Sequence, residues 1–161
     1  MADHGKVSTC IWIETGGIEA ARFYTSLLPN SAIRNENQFD HMETGETGGV
    51  MVIEFTLDGA PFQILQAGPH QQHTDMMSIV VITEDQAETD RLWDALTADG
   101  GCEVQCGWLK DRWGVSWQIT PRRLGELLAS GDPARVQAVV QAMMPMKKLE
   151  IAVLEAAHDN A

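Results

Sequence analysis

The sequence predicts an α+β fold: two β-α-β-β-β modules followed by a C-terminal helical extension. Three observations predict it: a pattern that occurs twice in the same order, a hairpin dipeptide between two apolar strands, and helix-only periodicity after Pro121. The residues Glu19-Ala20-Ala21-Arg22-Phe23-Tyr24-Thr25-Ser26-Leu27 and Glu88-Thr89-Asp90-Arg91-Leu92-Trp93-Asp94-Ala95-Leu96 both read E-x-x-R-apolar-aromatic-x-x-L, at an offset of 69. Gly59-Ala60-Pro61-Phe62-Gln63-Ile64 and Gly114-Val115-Ser116-Trp117-Gln118-Ile119 both read G-x-x-aromatic-Q-I, at an offset of 55. Two matches in one order indicate an internal duplication, with the middle of the second copy 14 residues shorter.

Lys6–Ile13 is β-branched and aromatic and predicts a strand. Gly16-Gly17 breaks it. Ala20, Phe23, Tyr24, Leu27 and Leu28 then recur on one helical face, and Pro29-Asn30 stops the helix. Ala32–Phe39 predicts a polar strand, and Gly45–Gly49 a Gly-rich loop. Val50–Leu57 and Phe62–Gln66 are strands of a hairpin turned by Asp58-Gly59.

The second copy opens with Met76–Ile82 as a strand. Thr83-Glu84-Asp85-Gln86 predicts a capping box, with the Thr83 hydroxyl on the third helical amide and Gln86 reaching back. That helix runs to about Ala98 and stops at Gly100-Gly101. Short strands are expected near Glu103–Gln105, Trp108–Leu109 and Val115–Thr120. In the tail, Leu124, Leu127 and Leu128 mark one helix. Asp132-Pro133 caps a second, with Val136, Val139, Val140 and Met143 at helical spacing. Leu149–Ala157 forms the last. No linker divides the chain, so a single domain is expected: module one about 6–66, module two about 76–120, helical tail 121–161.

Composition narrows the function. The chain has 161 residues, 44% hydrophobic and 21% charged, which is globular material. Eleven Lys and Arg against 23 Asp and Glu give a net charge of −12, which repels phosphate backbones and anionic lipid, so neither a nucleic-acid nor a membrane partner is expected. No apolar run approaches the ~20 residues of a membrane helix. Met1 to Lys6 carries no apolar run of a secretory signal, and three cysteines make no disulfide framework, so a reducing cytoplasm is expected. Cys102 and Cys106, four apart on a strand, would lie ~13 Å apart, too far to bridge. Cys10, Cys102 and Cys106 are read as small hydrophobes.

The paired modules, over about Lys6 to Thr120, resemble the vicinal oxygen chelate superfamily of glyoxalases, bleomycin-resistance proteins and extradiol dioxygenases. Glu84-Asp85-Gln86-Ala87-Glu88, Cys106-Gly107-Trp108-Leu109-Lys110-Asp111, Gly114–Ile119 and Met146-Lys147-Lys148-Leu149-Glu150-Ile151-Ala152 resemble the PhnB-like branch. That branch often carries the description 3-demethylubiquinone-9 3-methyltransferase, and the helical tail also fits it. The resemblance implies a glyoxalase-like cleft between the modules and a homodimer. It also implies four ligand positions, usually His and Glu in metal-binding members. By the repeat arithmetic these positions are Thr9, Gln63, Ser78 and Gln118, with Cys10 in place of Thr9 if the first strand shifts by one.

Two hydroxyls and two amides are poor partners for Fe²⁺, Zn²⁺ or Ni²⁺, so no metal and no cofactor are expected. They are donors and acceptors suited to a small molecule, whose identity the residues do not give. Trp108 is the aromatic candidate for the cleft wall, because alternation sends Trp117 away from Gln118 and under the helix. His70, in a Gly-Pro-His stretch, is the candidate acid or base. His73 makes a weak HxxH, and His4, His41 and His158 have no partner context. Lys110-Asp111 predicts a turn ion pair, and Glu54 an outward carboxylate on a half-exposed sheet.

The expected function is small-molecule binding in a metal-free cleft. The alternatives are an enzyme of the superfamily (lyase, isomerase or dioxygenase), a methyltransferase, or a structural dimer with a filled cleft. Methyl transfer on a doubly wound sheet needs a Gly-rich turn after the first strand, and Gly16-Gly17 lacks the G-x-G pattern.

Overall fold

The structure is a computed structural model that describes residues 6–40, 49–70 and 72–161. It divides into two units, Met1–Gln71 and Gln72–Ala161. The expected Gly45–Gly49 loop falls almost wholly outside the described residues, as do His4 and His41.

The first unit runs β1 (Thr9–Ile13), α1 (Gly17–Leu27), β2 (Ala32–Phe39), β3 (Val50–Leu57) and β4 (Ala60–Gln66). Its sheet has the order β1-β4-β3-β2, with β1 parallel to β4 and the other pairs antiparallel. A parallel neighbour needs a crossover, and α1 is part of it. Asp58 and Gly59 both have positive φ, 45° and 79°, so the β3–β4 turn matches the sheet twist as the D-G dipeptide requires. The α1 stripe Ala20, Ala21, Tyr24 and Leu27 is buried, with Ile11, Ile13, Ile53, Phe55 and Ile64 in the same core. The Phe55 ring lies 6.2 Å from Tyr24 and 5.6 Å from Phe62. Gly17 sits where a Cβ would meet Ile64 and Gln66 at 3.1 Å, which explains a residue without a side chain at the start of the helix.

The second unit repeats the order with β5 (Ile79–Thr83), α2 (Gln86–Thr97), β6 (Cys102–Glu103), β7 (Trp108–Lys110) and β8 (Ser116–Pro121). Its sheet is β5-β8-β7-β6, again with the first and last strands parallel. Ile64 pairs with Ile11, and Ile119 pairs with Val81. The last strands being equivalent at an offset of 55, the first strands are equivalent at 70, whereas the helices are equivalent at 69. Three residues join β1 to α1 and two join β5 to α2, which accounts for the difference.

The cap of α2 also differs from expectation. Asp85, not Thr83, is the N-cap, accepting from the Glu88 amide at 2.8 Å, while Glu88 reaches back to the Glu84 amide at 2.8 Å. Thr83 is instead buried and shares a hydrogen bond of 2.7 Å with the Thr89 hydroxyl. Gln86 turns to the tail, donating to the Leu149 carbonyl and accepting from the Ile151 amide.

The tail comprises α3 (Arg122–Leu128), α4 (Pro133–Met143) and α5 (Ile151–Asp159). Asp132 caps α4 ahead of Pro133 as its sequence predicts. Leu124, Leu127, Val139, Leu149 and Leu154 make a small core of their own. The segment between α4 and α5 is tied to the β6–β7 turn. There the Cys106 and Gly107 amides donate to the Met146 and Lys147 carbonyls at 2.8 and 2.7 Å. Cys106 and Gly107 have φ of 56° and 84°, a conformation that aims both amides at the tail. Among the described residues no helix is long and apolar enough to cross a membrane.

Candidate functional site

Each sheet has one face under its helix and one face opposite. In the first unit Ile11, Ile13 and Ile64 point toward α1, so alternation places Cys10, Trp12, Gln63 and Leu65 on the other face. The ladder sets Asn35, Glu54, Gln63 and Cys10 side by side in one row of that face. Thr9 is paired with Phe62, on the helix side. Of the two first-strand alternatives, Cys10 and not Thr9 therefore lies beside Gln63. Glu54 is the outward, half-buried carboxylate expected of it.

Trp12 donates its indole N–H to the Gly68 carbonyl at 2.9 Å, and the His70 ring packs on it with centroids 4.3 Å apart. This brings the imidazole onto the open face of the first sheet. His70 is exposed, as are Cys10 and Cys102. Neither cysteine is a buried small hydrophobe. A short polar-rich strand or an edge position leaves a side chain open whatever its own preference.

The second unit holds the more complete arrangement. Trp108 pairs with Gln118, which pairs with Val80, and Lys110 pairs with Ser116, all on the face away from α2. Gln118 Nε2 donates to the Ser78 hydroxyl at 2.8 Å. Val80 and Ile82 stay about half exposed on the same face (52% and 47%), so polar groups stand beside an open apolar strip. Trp117 is buried on the opposite side, as its alternation predicts.

The Lys110-Asp111 ion pair is corrected: adjacent strand residues point apart, and the two side chains have separate partners. Lys110 Nζ lies 3.2 Å from Asp75, whose carboxylate also accepts from the Ser116 hydroxyl at 2.7 Å. The Ser116 hydrogen bond, followed by that from Lys110, holds the Asp75 carboxyl below its ordinary range. Asp111 turns inward, accepting from the Trp113 and Val115 amides and from the Trp117 indole. The sequence signal missed for Asp75 was its distance of 41 residues from Ser116, beyond any local motif.

The donor set does not fit a divalent ion. Ser78 and Gln118 are both neutral and share one hydrogen bond. Glu54 and Cys10 flank Gln63, one strand away on either side, which separates the two anionic-capable groups by roughly 10 Å. Among the described residues no three His, Cys, Asp or Glu side chains are placed to share a metal.

Two sheets of order first-last-third-second, each built by one β-α-β-β-β module, define a protein of the vicinal oxygen chelate superfamily. The family model described as 3-demethylubiquinone-9 3-methyltransferase matches residues 5–120, and the chain belongs to this PhnB-like family. A PhnB protein of Bacillus cereus carrying that same description is 32% identical. The match covers 73% of this chain and 99% of that one, with a TM-score of 0.65. Protein PA1353 of Pseudomonas aeruginosa is 19% identical over 71% of this chain and 96% of its own, TM-score 0.57. The fosfomycin resistance protein FosX of Mesorhizobium loti is 13% identical over 80% and 99%, TM-score 0.55, a likeness of fold. No curated protein sequence matches. The family match ends at residue 120, so α3, α4 and α5 lie outside it.

Proposed function

We propose that the chain binds a small organic molecule on the open face of its second sheet, without a metal. The observation that carries this reading is the Gln118–Ser78 hydrogen bond beside Trp108. One amide oxygen and one hydroxyl hydrogen of that pair are left to address a ligand, and Trp108 offers a flat apolar wall for its body. A few convergent polar groups in apolar surroundings are the usual make-up of such sites. Thr9, the first-strand candidate, drops out of the proposal on register, and Cys10 stands beside Gln63 as Val80 stands beside Gln118.

Methyl transfer, named in the family's description, finds no support in a doubly wound parallel sheet, since both sheets here are mixed and four-stranded. A homodimer belongs to the same proposal and is read by light scattering.

Native mass spectrometry of the protein taken directly from the producing cell tests the reading. The expected result is a retained organic molecule that is lost in Trp108→Ala and weakened in Gln118→Leu. A stoichiometric transition metal would instead favour a metal enzyme of the superfamily. A chain that retains nothing and takes up no ligand would favour a structural dimer.

A further inference from the structure

We propose that Lys110 and Ser116 form a carboxylate-recognition pair on the open face of the second sheet, and that Asp75 occupies it as an internal stand-in for an organic carboxylate ligand. The inference rests on the small-molecule reading above and names the ligand class.

Lys110 and Ser116 are direct partners across the β7–β8 ladder, so their side chains leave the sheet together. They lie two pairs along the strands from Trp108 and Gln118, on the same face. The Ser116 side chain is fixed, only 2% of the residue being exposed, and its hydroxyl hydrogen is directed at Asp75 Oδ1 at 2.7 Å. Lys110 Nζ meets the same oxygen at 3.2 Å. Both groups therefore donate to one carboxylate oxygen, a charge-assisted arrangement that holds an anion more strongly than a neutral amide oxygen.

The anion now held there comes from outside the sheet. Asp75 precedes β5, its side chain is 55% exposed, and Met76 and Met77 beside it are 95% and 62% exposed. The rigid half of the contact belongs to the sheet and the solvent-washed half to the connecting segment. An exposed ion pair contributes little to stability, so exchanging the Asp75 carboxylate for that of a ligand costs little. A ligand carboxylate at this point would carry its apolar body toward Trp108, Val80 and Ile82. The chain as a whole is strongly acidic, so a fixed cation on this face also distinguishes it from the general surface.

Titration of the full chain with 2-naphthoate and with neutral 2-naphthamide, followed by tryptophan fluorescence and calorimetry, tests the inference. Vacating the position with Asp75→Ala should tighten naphthoate about tenfold, and Lys110→Met should weaken it by a similar factor, each variant keeping its thermal midpoint. Neither substitution should move naphthamide by more than about twofold. Naphthamide binding as tightly as naphthoate, or naphthoate affinity indifferent to Asp75→Ala, overturns the carboxylate pair and leaves the small-molecule site standing. Binding of neither probe to any variant overturns both.

Discussion

The Asp111 carboxylate accepts the indole N–H of Trp117 at 2.8 Å, joining the β7–β8 turn to the largest fully buried side chain among the described residues. The same carboxylate takes the amides of Trp113 and Val115, and only 3% of Asp111 is exposed. One group thus accepts from three donors.

Asp111→Ala is expected to destabilise the protein by about 2–4 kcal/mol, since hydrogen bonds to a charged group are lost and buried donors are left unpaired. Asp111→Asn, which keeps an acceptor, should cost less. Urea denaturation followed by tryptophan emission measures both. A cost within about 0.5 kcal/mol for the alanine variant would contradict this role.

Gly107→Ala should be unfavourable for two separate reasons. Its φ of 84° lies in the left-handed region, and a Cβ there would meet the Ile119 carbonyl at 2.9 Å and Leu149 at 3.0 Å. The expected cost is about 1–3 kcal/mol, with the tail loosened first, as read by hydrogen exchange at Met146 to Ile151. Gly125→Ala is the control. It lies within α3 with nothing within 4 Å of the added methyl, and should stabilise by about 0.5–1 kcal/mol.

The tail should weaken its hold in acid. Lys148 Nζ lies 2.7 Å from Asp90, and this bond, with a second from Gln86, holds the Asp90 carboxyl below its ordinary 3.8. A carboxylate lowered by folding stabilises the folded state above its unfolded pKa and stops doing so as pH falls through the folded value. The contribution is therefore complete well above 3.8 and falls away as pH drops from there through the lowered folded value. Lys148 is raised above 10.5 by the same partner, so its share is present below that value and disappears as pH rises past it. Asp90→Asn should flatten the acid limb of the tail's hydrogen-exchange protection by up to about 1 kcal/mol, the range of a partly exposed pair. An unchanged acid limb would remove Asp90 from the anchor.

Ile64 and Ile119 occupy equivalent positions of the two sheets, and both are fully buried. Truncating either to Ala should cost about 2–5 kcal/mol, and the two costs should be alike because each leaves a cavity between a helix and the middle of a four-stranded sheet. Chemical denaturation of the two variants compares them. A surface-like cost at one of them would break the equivalence.

Periodicity made α1 legible, because Ala20, Tyr24 and Leu27 must share a buried face to offset the ordering of the chain, and α2 was legible as its repeat, with Thr89, Trp93 and Leu96 buried in turn. The Asp58-Gly59 turn and the Asp132-Pro133 cap were legible for a local reason, since each is a dihedral preference of one or two residues. The first-strand register was not. A missing residue between β5 and α2 leaves both elements intact and changes only which side chain faces which, so Thr9 and Cys10 exchange roles without a trace in composition. Of the candidate site, Gln118 was read from the repeat and Trp108 from strand alternation, and Ser78 from an offset one residue shorter than the strands have, whereas Asp75 reaches Lys110 and Ser116 only through the fold.

Two main-chain amides, those of Cys106 and Gly107, fasten the segment before α5 to the β6–β7 corner, with the Gln105 side-chain amide and Cys106 thiol adding bonds to the end of α4. The two carbonyls accept whatever side chains their residues carry, although Met146 also packs on the tail core and Lys147 also pairs with Glu103. Descendants of this chain can therefore vary the solvent-facing residues of the helices while the two backbone torsions at the corner stay under selection. Evolutionary drift should accordingly be fast along the exterior of the appendage and slow at one glycine far from it in sequence.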